Sequence, residues 1–343
     1  MNLLKPHHFT TRELPEHAQF EAWRAFMSSS IELSPAAGEA SAFPADLFAW
    51  DLCGLLFARM VLPSPDVPRF WRHRDRPVMD HWCLELTVEG GVPAATAPHE
   101  CPARRRIAFR CLGRPCQGTA VGSYVLSLFI PRDQFADVAP ALDAVPEQIP
   151  DRGLGALLAE FMMSLDRNLP ATDEHDLPKL VEATRAVVSA CLVANRGLPA
   201  LERVGAASGT LLERARKIIR HNLRSQELGP DELCRLMGVS RSRLYRLFEP
   251  LGGVSNYIRR QRLLQAHAAL SDFRNTRHIR LIAENCGFED ASSFSRAYYA
   301  EFGYSPSDTR RAALGGHSLP ARLAREGEPL DASFNDLMLG LHS

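Results

Sequence analysis

The sequence predicts an α+β protein in two parts, a strand-rich N-terminal half closed by a pair of helices and an all-α C-terminal third. Three observations carry this. Leu47–Leu62, Trp82–Gly91, Arg105–Gly113 and Ser123–Pro131 are short apolar stretches at near-regular spacing, broken by Pro and Gly, as in a β-sandwich or barrel. Gly153–Leu169 and Leu177–Asn195 then switch to helical periodicity. Finally, Pro230–Phe248 and Arg280–Gly303 carry one helical hairpin pattern twice.

In the first hairpin, Leu233, Leu236 and Met237 recur at i, i+3 and i+4, with Asp231 as the expected cap of the first helix. Gly238 supplies the backbone freedom a sharp turn needs. Ser240 is the expected cap of the second helix, with Leu244, Leu247 and Phe248 inward. Ser242, Arg246 and Glu249 face the other way, flanked by Arg241, Arg243 and Tyr245. In the second hairpin Ile282 matches Leu233, Cys286 matches Met237 and Gly287 matches Gly238. One residue is inserted there, after which Phe294, Arg296 and Tyr298 repeat Leu244, Arg246 and Phe248. Asp290 is the expected cap, Phe294, Ala297 and Tyr298 the inward face, and Ser292, Ser295 and Arg296 the outward one. A short helix packed inward that presents arginine and hydroxyl groups outward suits the major groove of DNA. Two copies with an arginine at the same place are far more specific than one.

Val254–Asp272, between the copies, has mostly helical periodicity. A helix of roughly 18 residues spans about 27 Å. Successive major-groove faces lie about 34 Å apart, so a rigid connector of this length could hold two reading helices in adjacent grooves.

These features resemble the AraC/XylS family of bacterial transcription regulators. The likeness covers roughly residues 208–314 and rests on the segment Gly238–Phe248, the connector, and Cys286–Arg311 with its Gly303–Tyr304–Ser305–Pro306 step. It implies base-facing residues early in each recognition helix, here Ser242, Tyr245 and Arg246 in one and Ser292, Ser293 and Arg296 in the other. With Arg241, Arg243 and Ser295 these are the expected DNA-binding residues. Phe109–Phe135 resembles, more loosely and over roughly residues 20–190, the cupin-like N-terminal domain of one subgroup. That implies a cupin-like barrel that senses a small-molecule effector and dimerises. The expected organisation is therefore a sensing and dimerisation domain at 1–195, a linker at 196–209, a double helix-turn-helix domain at 210–314 and a tail at 315–343.

Charge agrees with this division. The 343 residues are formally neutral, but Leu211–Leu314 holds 18 Lys and Arg against 11 Asp and Glu, leaving the remainder net acidic. A basic part beside an acidic one is the asymmetry of a DNA module joined to a module that does not touch DNA. The first residues lack a signal peptide's apolar core, no apolar run is long enough for a membrane span, and the eight cysteines include no CxxC pair. Cys101, Cys111 and Cys116 cluster loosely, without zinc-ligand spacing. Reduced thiols, no metal, no cofactor and a cytoplasmic location are expected.

His17–Leu33 reads as an amphipathic helix with Phe20, Trp23, Phe26 and Met27 on one side. Leu154, Leu157, Leu158, Phe161, Met162 and Leu165 form the stripe of the first of the paired helices. In the second, Leu177, Leu180, Val181, Thr184, Val187, Val188 and Cys191 approach a heptad seam and are the expected homodimer interface. Packing on the barrel is the plainer alternative. Barrel mouths often hold ligands, and Trp71, Arg72, Trp82 and Arg110 are the candidate effector residues by type. Asn195–Gly209 reads as linker from its Gly, Pro and small residues. The tail shows an amphipathic turn at Phe334, Leu337, Met338 and Leu341.

The function expected is a sequence-specific, effector-responsive activator that binds promoter DNA and contacts RNA polymerase. Two readings stand beside it. One is a metal-dependent cupin-type enzyme fused to a DNA-binding domain, for which His73, His81, His99 and Glu100 are the ligands to weigh. The other is an architectural DNA protein with no ligand. No Walker loop, GxSxG, HExxH or GxGxxG is present.

Overall fold

The four apolar stretches become the middle of one antiparallel sheet, because they carry apolar side chains on both faces. The computed structural model describes residues 3–28, 31–34, 42–63, 69–73, 81–89, 105–112, 116–120, 123–135, 138–193, 200–272, 274–315, 334 and 337–338. The chain divides into two compact units, Met1–Gly197 and Leu198–Ser343.

The first unit contains strands β1 (His7–Thr10), β2 (Ile31–Leu33), β3 (Asp46–Asp51), β4 (Leu56–Val61), β5 (Arg69–His73), β6 (Trp82–Glu89), β7 (Arg105–Cys111), β8 (Gln117–Ala120), β9 (Ser123–Ile130) and β10 (Gln148–Ile149). Its helices are α1 (Glu16–Met27), α2 (Ala139–Asp143), α3 (Leu154–Asn168) and α4 (Leu177–Leu192). Seven strands form a sheet in the order β1-β3-β4-β9-β6-β7-β10, and β2-β5-β8 form a second. Every described pairing is antiparallel. The cupin-like barrel implied by the resemblance is not closed: among the described residues the two sheets share no ladder. The short edge strands close neither side.

Alternation builds the core. Trp82, Leu84, Leu86 and Val88 of β6 point with Ile107 and Phe109 of β7 and Leu126, Leu128 and Ile130 of β9 toward α2, α3 and α4. The stripe of α3 is rotated from the one expected. Leu158, Met162 and Leu165 of that stripe are buried, joined by Gly155, Ala159, Met163 and Asp166, while Leu154 and Leu157 are 45% and 57% exposed. Asp166 explains the rotation, because it is buried as the shared acceptor of the Tyr124 hydroxyl and of Arg59 at 3.3 Å. A buried carboxylate must face its partners, and they lie on the sheet. Gly155 permits the approach, since a Cβ there would overlap the Pro150 carbonyl.

In α4, Leu177, Thr184 and Val188 are buried in this unit's own core, and Leu180, Val181, Val187 and Cys191 are half-buried against it. These positions thus face the unit's own core, chiefly against α3.

The second unit is all-α: α5 (Ala200–Asn222), α6 (Pro230–Met237), α7 (Arg241–Phe248), α8 (Val254–Ser271), α9 (Ile279–Asn285), α10 (Ala291–Phe302) and α11 (Pro306–Gly315). The linker expected at 196–209 is helical from Ala200 onward, as the start of α5. Gly205 and Gly209 look like breakers, but each costs only about 1 kcal/mol inside a helix. The intervening Leu, Glu, Arg and Ala residues favour continuation. Of the tail, Gly315 ends α11, and Phe334 and Met338 are buried; its other residues, apart from Leu337, lie outside the described ones.

Candidate nucleic-acid interface

Helix α8 serves two small cores. Its first turns put Val254, Tyr257 and Ile258 against Ala215, Ile219 and Leu223 of the α5 end, Leu233 and Met237 of α6, and Leu244 and Phe248 of α7. Its last turns put His267 against the rings of Tyr298, Phe302 and Tyr304, with centroids 4.9–6.1 Å apart. His267 Nε2 lies 3.0 Å from the Tyr304 hydroxyl, and the Tyr298 hydroxyl lies 2.8 Å from that of Thr309. The first copy is therefore packed mainly by aliphatic side chains and the second mainly by aromatic ones.

The two turns are built alike. Gly238 and Gly287 have φ of +66° and +79°, a region that side-chain-bearing residues avoid. Val239 N–H donates to the Cys234 carbonyl at 3.2 Å, and Phe288 N–H donates to that of Ala283 at 3.0 Å. The inserted residue is Glu289, and it postpones the cap by one place. Ser240 accepts from Arg243 N–H at 3.4 Å, whereas Asp290 accepts from Ser293 N–H at 2.7 Å. The N–H groups of Ser293 and Ser292 hold the Asp290 carboxyl below the usual carboxylate range. The expected cap at Asp231 is displaced. Gly229 occupies that position with Pro230 in the first turn, where its missing N–H costs nothing. Asp231 pairs instead with Arg241 at 2.6 Å, tying the start of α6 to the start of α7.

From the caps onward the two reading helices repeat one pattern of burial, with Ser242 and Arg246 matched by Ser292 and Arg296. Leu244 and Phe248 are buried with Leu247 half-buried, and Phe294 and Tyr298 are buried with Ala297 half-buried. Arg241, Ser242, Arg243, Tyr245 and Arg246 are all exposed on α7, as are Ser292, Ser293, Ser295 and Arg296 on α10. All nine residues named from the sequence thus lie on the two outward faces. Ser295 is partly occupied, its hydroxyl donating to the Ala291 carbonyl at 2.9 Å. Arg243, Arg246 and Arg296 take no ion pair among the described residues, so their guanidinium groups are available to phosphates or to guanine. Tyr299, half-exposed one turn after Arg296, is a surface aromatic the sequence reading missed. Its signal was its place three residues beyond an outward arginine.

The four effector candidates do not form one site. Trp71 and Arg110 meet, the guanidinium 5.3 Å from the ring centroid. Arg110 is also held by Glu85 at 3.1 Å and Glu147 at 2.8 Å, which keep it charged although it is largely buried. Trp82 lies on the opposite face of the sheet, its N–H donating to Asp143 at 3.0 Å beneath the buried Arg132. Arg72 pairs with Glu32 at the surface. Trp82 and Arg110 nevertheless share a cavity of about 170 Å³ at the end of β7, with Cys111, Cys116, Asp143 and Glu147 in its wall. Burial pushes the Cys116 thiol up to about 11, so it is protonated near neutrality. Among the described residues no three His, Cys, Asp or Glu side chains converge on a metal position, and His99, Glu100 and Cys101 lie outside those residues. No described helix is long and apolar enough to cross a membrane.

A family model described as a helix-turn-helix domain matches residues 233–312, from α6 into α11. The chain is similar to the AraC-like transcriptional activator CuxR, with 31% identity over 81% of this chain and 100% of that one, and a TM-score of 0.48. It is also similar to a transcriptional regulator with an AraC-type DNA-binding domain from Chromobacterium violaceum. There the identity is 32% over 32% of this chain and 96% of that one, with a TM-score of 0.29. The Msm operon regulatory protein of Streptococcus mutans is 27% identical over 163 residues, 46% of this chain. The chain spans 57% of the length of that curated relative. Identity along the whole of the first of these, and a helix-turn-helix match reaching across both hairpins, place the chain in the AraC family of transcriptional regulators.

Proposed function

We propose that the chain is a sequence-specific transcription regulator whose C-terminal unit reads two adjacent major grooves and whose N-terminal unit answers to a small molecule. One observation carries the DNA half of this reading. The outward faces of α7 and α10 share one pattern of exposure and match at a serine, Ser242 or Ser292, and an arginine, Arg246 or Arg296, and neither arginine takes an ion pair among the described residues. Solvated helix faces would give scattered charge, not the same guanidinium at the same place in two copies.

The mechanism follows from this geometry. Arg241 and Arg243, at the start of α7, are suited to phosphate contacts that set the register. Arg246 and Arg296, one turn further in, are suited to the paired acceptors of guanine. Ser242, Tyr245, Ser292, Ser293 and Ser295 add hydrogen bonds of lower selectivity. For the N-terminal unit, the cavity beside Trp82 and Arg110 supports an effector site. At about 170 Å³ it is smaller than a drug-sized pocket of about 300–1,000 Å³, so its occupant is a small metabolite. The exposed Leu154 and Leu157 on the first turn of α3 offer apolar surface to a second copy, which supports a homodimer. An effector would favour the arrangement that grips DNA better, by no more than its differential affinity for the two states. Contact with RNA polymerase and a cytoplasmic location belong to the same reading.

Fluorescence anisotropy tests it, with DNA from upstream of the chain's own and neighbouring genes against scrambled DNA of equal length. A preference of about a thousandfold, falling steeply with salt, is expected. Equal affinity for both DNAs at every salt concentration, with and without cell-extract metabolites, would sink the reading.

A further inference from the structure

Two reading helices are useful only if something fixes the step between them, and one side chain on α8 is placed to do so. Arg262 Nε donates to the Leu223 carbonyl at 3.1 Å, and its Nη2 donates to those of Ser225 at 2.6 Å and Leu228 at 3.3 Å. All three carbonyls belong to the turn that joins α5 to α6, immediately before the first hairpin. The other flank of the same guanidinium is closed by the second hairpin. A Cβ added to Gly287 would lie 2.6 Å from the Leu223 carbonyl oxygen, 2.7 Å from Arg262 Nε and 2.9 Å from Arg262 Cζ. The glycine turn of the second copy thus sits directly on the arginine that binds the backbone leading into the first. Nothing comparable occurs at Gly238, where the added Cβ would meet no atom within 4 Å.

The chemistry fits a fixed joint. A planar guanidinium with several rigidly placed N–H groups can satisfy three diverging carbonyls at once, which an ammonium on a flexible stem does poorly. Among the described residues Arg262 has no carboxylate ion pair, so its donors are committed to backbone. Burial also pulls its pKa down, outweighing the opposite pull of Glu289. A surface arginine serving solubility or DNA would show neither feature.

We propose that Arg262, seated between the Leu223–Leu228 turn and Gly287, is a positioning residue that sets the spacing between the two DNA sub-sites the protein accepts. The proposal rests on the reading of the C-terminal unit as a two-groove binder. Loss of the three bonds would leave each hairpin with its own core but let α10 shift relative to α7.

Two measurements on the full chain test this. In the first, Arg262→Met and Arg262→Lys are titrated against DNA carrying both sub-sites at native spacing, at spacings one base pair shorter and longer, and against DNA with one sub-site scrambled. Arg262→Met should lose about tenfold at native spacing, lose little on single sub-sites, and discriminate less between spacings, with Arg262→Lys in between. Equal losses on every DNA with the spacing preference unchanged would reduce Arg262 to a structural residue and overturn the proposal. In the second, nitroxide labels enter at positions 242 and 292 through a noncanonical amino acid, and pulsed EPR reads their separation without DNA. A broader or shifted distance distribution in Arg262→Met is expected, and an unchanged one would overturn the proposal even if no operator were found. Wild-type protein that ignores sub-site sequence while the distance distribution still responds to Arg262→Met would instead sink the two-groove reading.

Discussion

The two hairpins share one pattern of buried and exposed positions and differ in what holds that pattern in place. The first is packed by Leu233, Met237, Leu244 and Phe248, capped by a neutral hydroxyl, and turns on a glycine with open space where a Cβ would stand. The second is packed by Phe294, Tyr298, Phe302 and Tyr304, capped by a carboxylate, and turns on a glycine pressed against its neighbour. What the two copies share is the pattern of exposure, with Ser242 and Arg246 matched by Ser292 and Arg296. The inward face, the cap and the turn have each been rebuilt around different partners, so the second copy is committed to the joint and the first is not.

The glycines give the largest test of this difference. Gly238→Ala should cost about 1 kcal/mol, the price of a left-handed backbone for a residue with a Cβ. Gly287→Ala adds an overlap with the Leu223 carbonyl and Arg262, and overpacking of this kind costs about 1–3 kcal/mol more. Urea melts of the two variants measure both. Equal losses would show that the contact at Gly287 yields freely and that the copies are energetically alike.

The arginines test the likeness. Arg246→Ala and Arg296→Ala should each cost about 1–3 kcal/mol at the specific site, with smaller losses on random DNA. Thermal stability should stay near wild type, since both side chains are exposed. If one loses equally on both DNAs it is a phosphate contact, and the repeated face reads bases in one copy only.

Both outward faces were legible from sequence because helix period and burial coincide there, and short helices leave little freedom for rotation. The linker was not, because Gly205 and Gly209 carry the same letters whether a helix continues through them or ends. Leu154 and Leu157 were placed on the wrong side because periodicity cannot weigh one buried carboxylate against two leucines. Asp166 had partners on β4 and β9 that lie more than 40 positions away in the chain. Of the sheet, the central strands β4, β6, β7 and β9 were visible. The short strands β1, β2, β5, β8 and β10 were not, since few apolar residues leave no alternation to read. Arg262 was invisible for a related reason. It sits among Arg259 and Arg260 in a run that looks like a solvated face, and only the fold brings three carbonyls to one of them.

The caps offer the smallest and most specific test. Asp290 places a negative charge at the start of the second reading helix, where Ser240 places none, and a phosphate approaching that end meets repulsion. Asp290→Asn keeps an oxygen acceptor for Ser293 N–H and removes the charge. Affinity for random DNA should rise about threefold at low salt and converge with wild type at high salt. Stability should respond to pH in a defined direction. The folded carboxyl titrates below its ordinary value of 3.8. The stabilisation from the charged cap is therefore complete above that value and fades as the pH falls through the lower, folded one. Melts of Asp290→Asn should lack that part of the acid limb. If affinity for random DNA does not change, the start of α10 stands clear of the backbone, and the second hairpin enters its groove at a different depth from the first.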